Sequence, residues 1–232
     1  MRASLFPTSM LDVKDPDLWQ RLAGDVPLAN DRLQLMPIQQ RVQSGTALNG
    51  TLQVQAYPHR IDIVLAADGT NGGPGAPPVI ADMAQGLQEA ADLAIRAAGA
   101  PGHRFTRLAF AIQVLEPHPS PQDSLDALRR ALPGLPIRPG DNEAMFQRGR
   151  ETLPGGDLPP VNFIEKWSTA TLQMVPMPML APGTMEAVAT DVHVLMLDVE
   201  ANTRATPIIS MAPDEAASAM SHLIRQARGA FA

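Results

Sequence analysis

Apolar and polar side chains alternate with a period of two over several stretches of this chain, and a period of two predicts strands. The densest run is 190–199. There Val192, Val194 and Met196 fall on one face, and Leu195, Leu197 and Val199 on the other. A strand apolar on both faces is expected inside a sheet, covered on both sides, and the C-terminal helix is the expected cover on one of them. Leu52, Val54 and Ala56 alternate with Thr51, Gln53 and Gln55, and Ile61, Ile63 and Leu65 follow after Tyr57-Pro58-His59. That is the pattern of a hairpin. Leu108, Phe110, Ile112 and Val114 mark another strand, and 161–175 a long one that returns antiparallel through 184–199. A further strand over 33–42 contains Pro37, which places it at an edge or a bulge.

Helical spacing appears elsewhere. Ile80, Met83, Leu87 and Ala91 recur at intervals of three and four within 79–98, and Gly99 and Pro101 stop that run. Ser120-Pro121-Gln122-Asp123 reads as a capping residue, a proline at the first helical position and an acid in the first turn. Pro213-Asp214-Glu215 opens a last helix with Met220, Leu223, Ile224 and Ala227 on one stripe. Residues 142–150 suggest a short helix, and Asp15-Pro16 another helix start. The order predicts an α+β fold: a mostly antiparallel sheet with two or three long amphipathic helices packed on it. Residues 1–30 read as an N-terminal arm and 31–232 as a single α+β domain, with 31–100 and 103–232 as pseudo-halves.

Composition narrows the chemistry. The 232 residues include no Cys, which excludes disulfides, thiolate catalysis and Cys-based zinc sites. No stretch of about 18 apolar residues occurs, and the first residues lack the apolar core of a secretion signal. The expectation is a cytoplasmic protein with no membrane partner. A net charge of −6 argues against nucleic acid as a partner. Charge is uneven along the chain, however. Residues 103–150 carry Arg129, Arg130, Arg138, Arg148 and Arg150, whereas 151–202 is acidic apart from Lys166.

Few constellations suggest a site. The glycine-rich loop 69–75 lacks the Gly-Lys-Ser/Thr ending of a phosphate cradle. Asp191 and His193 sit two apart on a strand, so both face one way, and a carboxylate there can orient an imidazole. No third ligand, HExxH pattern or Gly-x-Ser-x-Gly elbow accompanies them, so no metal, cofactor or catalytic residue is assigned. Arg129 and Arg130 are candidates for binding an acidic partner or a nucleotide phosphate. Met177 and Met179, in a proline-rich turn, are candidates for an exposed apolar contact.

The strand Arg104-Phe105-Thr106-Arg107-Leu108-Ala109-Phe110, the tail Leu197-Asp198-Val199-Glu200-Ala201-Asn202-Thr203 and the final helix with His222 and Phe231 resemble a sporadically distributed, uncharacterised family of bacterial proteins. The resemblance covers the second half of the chain. It implies a bacterial cytoplasmic accessory protein and supplies no catalytic residue. The leading expectation is a non-enzymatic protein-binding or assembly protein that engages another protein, or itself, through a sheet edge or its Met- and Pro-rich loops. The alternative is a small-molecule-binding domain or enzyme with a site near Asp191 and His193.

Overall fold

The computed structural model describes residues 1–15, 17–23, 30–47, 50–67, 83–138, 140–154, 158–174 and 190–231. Its strands are β1 (Arg2–Pro7), β2 (Asn30–Gln34), β3 (Gln40–Ala47), β4 (Gly50–Tyr57), β5 (Arg60–Ala67), β6 (Phe105–His118), β7 (Met145–Thr152), β8 (Val161–Met174) and β9 (Thr190–Thr203). They form one sheet of nine strands in the order β2-β3-β4-β5-β1-β6-β9-β8-β7. Every pairing between them is antiparallel. The helices are α1 (Leu18–Ala23), α2 (Met83–Ala98), α3 (Pro121–Ala131) and α4 (Pro213–Arg228).

The expected α+β fold with long amphipathic helices is overturned. Strand accounts for 46% of the described residues and helix for 27%, so the sheet carries the architecture and the helices are short. Two misread segments explain much of the difference. Residues 142–150, expected as a helix, contribute to β7, where Phe146 is in register with Trp167 and Arg148 with Glu165. Pairing to β8 decides their conformation, and local propensity does not. Residues 2–7, expected in an arm, form β1, the fifth of nine strands. Ala3 and Leu5 there are fully buried, and Ser4 faces the other way, donating a 2.6 Å hydrogen bond to Asp62 Oδ1. Six residues are too few to show a period of their own.

Register assigns the two faces. One carries Ala3, Leu5, Ile61, Ile63, Leu108, Phe110, Ile112, Val199, Ala201 and Phe163, all buried. Helix α4 lies against β6 and β9 on this side and packs on α2, which turns Ala90, Ala91, Ala94, Ala97 and Ala98 inward. Small side chains let these helices approach closely. A methyl group added at Gly99 would sit 3.2 Å from the Ala217 side chain. Helix α3 packs on β8 and β9, where Ala127 and Leu128 meet Leu195, with Trp167 alongside. Its start is as expected: Ser120 Oγ accepts from the Asp123 amide at 3.2 Å, with Pro121 at the first position.

The other face mixes polar with apolar side chains, with Val64, Leu115, Met196 and buried Val194 beside Asp62, Gln113 and Asp198. Asp62, almost fully buried, accepts from Ser4 and pairs with Arg60 at 2.9 Å. A buried carboxylate needs such partners to remain charged. Gln113 Nε2 donates to Asp198 Oδ1 across β6 and β9 at 2.7 Å. The run 190–199 therefore lies inside the sheet as expected, in β9 between β6 and β8.

Candidate functional site

The pairing of Asp191 with His193 does not form. His193 Nδ1 lies 2.9 Å from Thr171 Oγ1 on β8, its cross-strand neighbour. Asp191 is exposed in register with Gln173, and no hydrogen bond or ion pair holds it among the described residues. On its other side His193 is in register with His118 of β6. The His118 side chain is only 10% exposed, with Nε2 3.6 Å from Glu116 Oε1. That separation exceeds hydrogen-bond reach, and Nε2 has no hydrogen-bond partner. Among the described residues no three His, Asp or Glu side chains are grouped to hold a metal ion. Arg107 faces away from His193, on the other side of the sheet, over the Phe6 ring at 5.3 Å. Glu165 is committed to Arg148. Neither Arg107 nor Glu165 therefore bonds to Asp191 or His193.

The cationic set is also dispersed. Arg129 and Arg130 occupy the last turn of α3, where positive charge suits the helix dipole. Arg129 Nη1 binds Asp126 at 2.5 Å and Nη2 reaches the Ile137 carbonyl at 3.4 Å, whereas Arg130 is exposed. The Arg129 guanidinium in turn holds the Asp126 carboxyl below its ordinary value, mainly through that hydrogen bond. Arg148 pairs with Glu165, and Arg150 lies 4.5 Å above the Phe163 ring. Antiparallel pairing of β7 with β8 thus sets the basic stretch against the acidic one. Charge that is uneven along the chain is partly neutralised in space. Met177 and Met179 lie outside the described residues.

A different feature stands out, at the β2 edge. The sheet begins with the hairpin of β2 and β3, in register from Asn30 with Ser44 to Gln34 with Gln40. Its tip exposes Leu33 (44%), Leu35 (42%), Met36 (80%) and Ile38 (59%). Short polar contacts shape the turn: Gln40 Nε2 donates to Gln34 Oε1 at 2.9 Å, and Gln34 Nε2 to the Met36 carbonyl at 3.0 Å. Arg41 anchors the hairpin. Its buried guanidinium binds Asp31 through two nitrogens and donates to the Lys14 carbonyl at 3.0 Å. The apolar tip is therefore held out from the body by an ionic anchor beneath it. Strand β2 itself is exposed over nearly all its length, and its outer backbone edge has no strand beside it among the described residues.

Sequence reading missed Leu33, Leu35, Met36 and Ile38 as a group. The single strand expected over 33–42 is two: Pro37 sits in the turn between β2 and β3 and not within an edge strand, because Gln34 and Gln40 pair across it. A cleft of about 1060 Å³ runs across β5, β1, β6, β9, β8 and β7, lined by Val64, Gln113, Asp198, Lys166 and Gln147 among others, and neither Asp191 nor His193 lines it. No protein-family model, curated protein or solved structure matches the chain. Among the described residues no helix is long and apolar enough to cross a membrane.

Proposed function

We propose that this chain is a non-enzymatic protein-binding or assembly protein, bacterial and cytoplasmic, and that the β2–β3 hairpin is its contact surface. The observation that carries this reading is the exposed tip of Leu33, Leu35, Met36 and Ile38 beside an open strand edge. Clustered apolar side chains in water favour burial against a partner, at about 25 cal/mol per Å² removed from solvent. An open edge adds backbone donors and acceptors that a partner strand can satisfy.

The test is a photo-cross-linking series in cells, with the reactive group at Leu33. The parent protein should yield a discrete adduct, with a partner protein or with itself. The combined change Leu35→Ser, Met36→Ser and Ile38→Ser should abolish it without unfolding the protein. An adduct of undiminished yield from the triple variant would show that the tip is not the contact surface.

A further inference from the structure

The hairpin tip holds an oxidisable side chain. Met36 is 80% exposed, the most open of the four apolar residues there. The turn is shaped through its backbone: the Met36 carbonyl accepts from Gln34 Nε2 at 3.0 Å, and Gln40 Nε2 donates to Gln34 Oε1 at 2.9 Å. The thioether takes no part in these bonds. A chemical change at its sulfur therefore alters the surface of the tip and leaves the turn beneath it in place.

The other thioethers are placed differently. Met211 and Met220 are buried, beyond the reach of a dissolved oxidant. Met10, Met83 and Met145 are exposed, but they belong to other elements. Met10 follows β1, Met83 opens α2, and Met145 opens β7 at the opposite end of the sheet. Met36 joins an open sulfur to a cluster of exposed apolar side chains, Leu33, Leu35 and Ile38.

We propose that Met36 is a redox-sensitive element of the contact surface: peroxide converts its thioether to the sulfoxide, and the sulfoxide releases the partner. This rests on the reading of the tip as that surface and gives it a means of regulation. The Met36 sulfur attacks one oxygen of hydrogen peroxide. An S–O bond forms, the O–O bond breaks, and the second oxygen leaves as water with both hydrogens. Sulfur is oxidised by two electrons and the peroxide is reduced by two. Methionine sulfoxide reductases reverse the change by returning the two electrons. A thioether is apolar and flexible, which suits burial against a partner. A sulfoxide is polar and accepts hydrogen bonds. Burying it beside Leu35 and Ile38 without a donor weakens binding about tenfold.

The test uses the full chain with the photo-reactive group at Leu33, in cells given a pulse of hydrogen peroxide before irradiation. Peptide mapping should find sulfoxide at Met36 while Met211 and Met220 remain thioethers. Adduct yield should fall about tenfold in the parent. In Met36→Leu, which keeps an apolar side chain of similar size and has no sulfur to oxidise, the yield should hold under peroxide. Equal falls in the parent and in Met36→Leu would place the cause at another oxidised group and overturn the proposal. So would an undiminished yield from parent protein carrying the Met36 sulfoxide, or a Met36 left unoxidised where Met10 and Met145 are oxidised. An untreated parent that gives no adduct would remove the contact surface itself, and the proposal with it. An adduct indifferent to Met36 oxidation removes this proposal alone.

Discussion

The two ends of the sheet are built on different principles. At the β7 end, the outer strand presents Arg148, Gly149, Arg150 and Glu151, with Arg148 on Glu165, Arg150 over Phe163 and Arg204 3.6 Å from Glu151. Charge on an edge strand discourages another chain from pairing with it. Behind it, α3 seals the covered face with Leu128 and Trp167. At the β2 end the arrangement differs. The anchor, Arg41 with Asp31, lies at the base, and the apolar side chains stand in water at the tip. Both outer strands carry charge, Asp31 and Arg32 on β2 as well as Arg148, Arg150 and Glu151 on β7, and what sets the β2 end apart is the cluster of four exposed apolar side chains at its tip. The same antiparallel pairing thus makes a boundary or a contact surface, depending on where the apolar side chains sit.

The largest expected effect probes the β7 end. Leu128 is fully buried against Leu195 and Trp167, so Leu128→Ala should cost about 3 kcal/mol in denaturant unfolding. Leu33→Ala at the β2 end should stay within about 0.5 kcal/mol, because its side chain gains little from folding. Equal losses at the two positions would break the contrast. Next in size, Arg41→Ala removes charged hydrogen bonds to Asp31 and the Lys14 carbonyl and should cost about 2 kcal/mol. Hydrogen exchange should show the loss centred on β2 and β3, with β7 unaffected.

Acid should act between the two ends, on the shared body. Burial, and then the nearby charge of Arg225 for His222 and of Arg21 for His103, lowers both imidazole pKa values below the ordinary 6.5. The unfolded chain then binds more protons than the folded one just below that value. Stability is full above pH 6.5 and falls as the pH drops toward the folded pKa values. Denaturant midpoints measured from about pH 7.5 down to about pH 5.5 should fall, and His222→Gln should flatten part of that fall. An unchanged profile in this variant would remove His222 as a contributor. The smallest effect is on stability in the tip triple variant, Leu35→Ser, Met36→Ser and Ile38→Ser. Its unfolding free energy should match the parent within about 0.5 kcal/mol while its contacts are lost.

Much of the strand framework was legible locally. The hairpin of β4 and β5 and the strands β6, β8 and β9 each show alternation long enough to be read without a partner. Ser120 and Pro121 mark the start of α3 in the same way, and Pro213 that of α4, where the Ala212 amide donates to Glu215 Oε2 at 2.6 Å. The candidate site was much less legible. Asp191 and His193 share a face, as their spacing requires, but a face does not specify a partner. Thr171 on β8 takes the His193 nitrogen because β8 lies beside β9. Exposure of Leu33, Leu35, Met36 and Ile38 cannot be read from their identities, which are those of core residues.

What the sequence determined by itself is what short-range geometry controls: the period of β4, β5, β6, β8 and β9, the caps and breaks of the helices, and the absence of thiol chemistry. The tertiary structure alone decided strand order, and with it the roles of β1 and β7. Arg2–Pro7 became the middle strand and Met145–Thr152 an outer one. Both outcomes depend on backbone groups far apart in the chain finding one another. A period of two records which way side chains alternate, and carries no information about which strand will lie alongside.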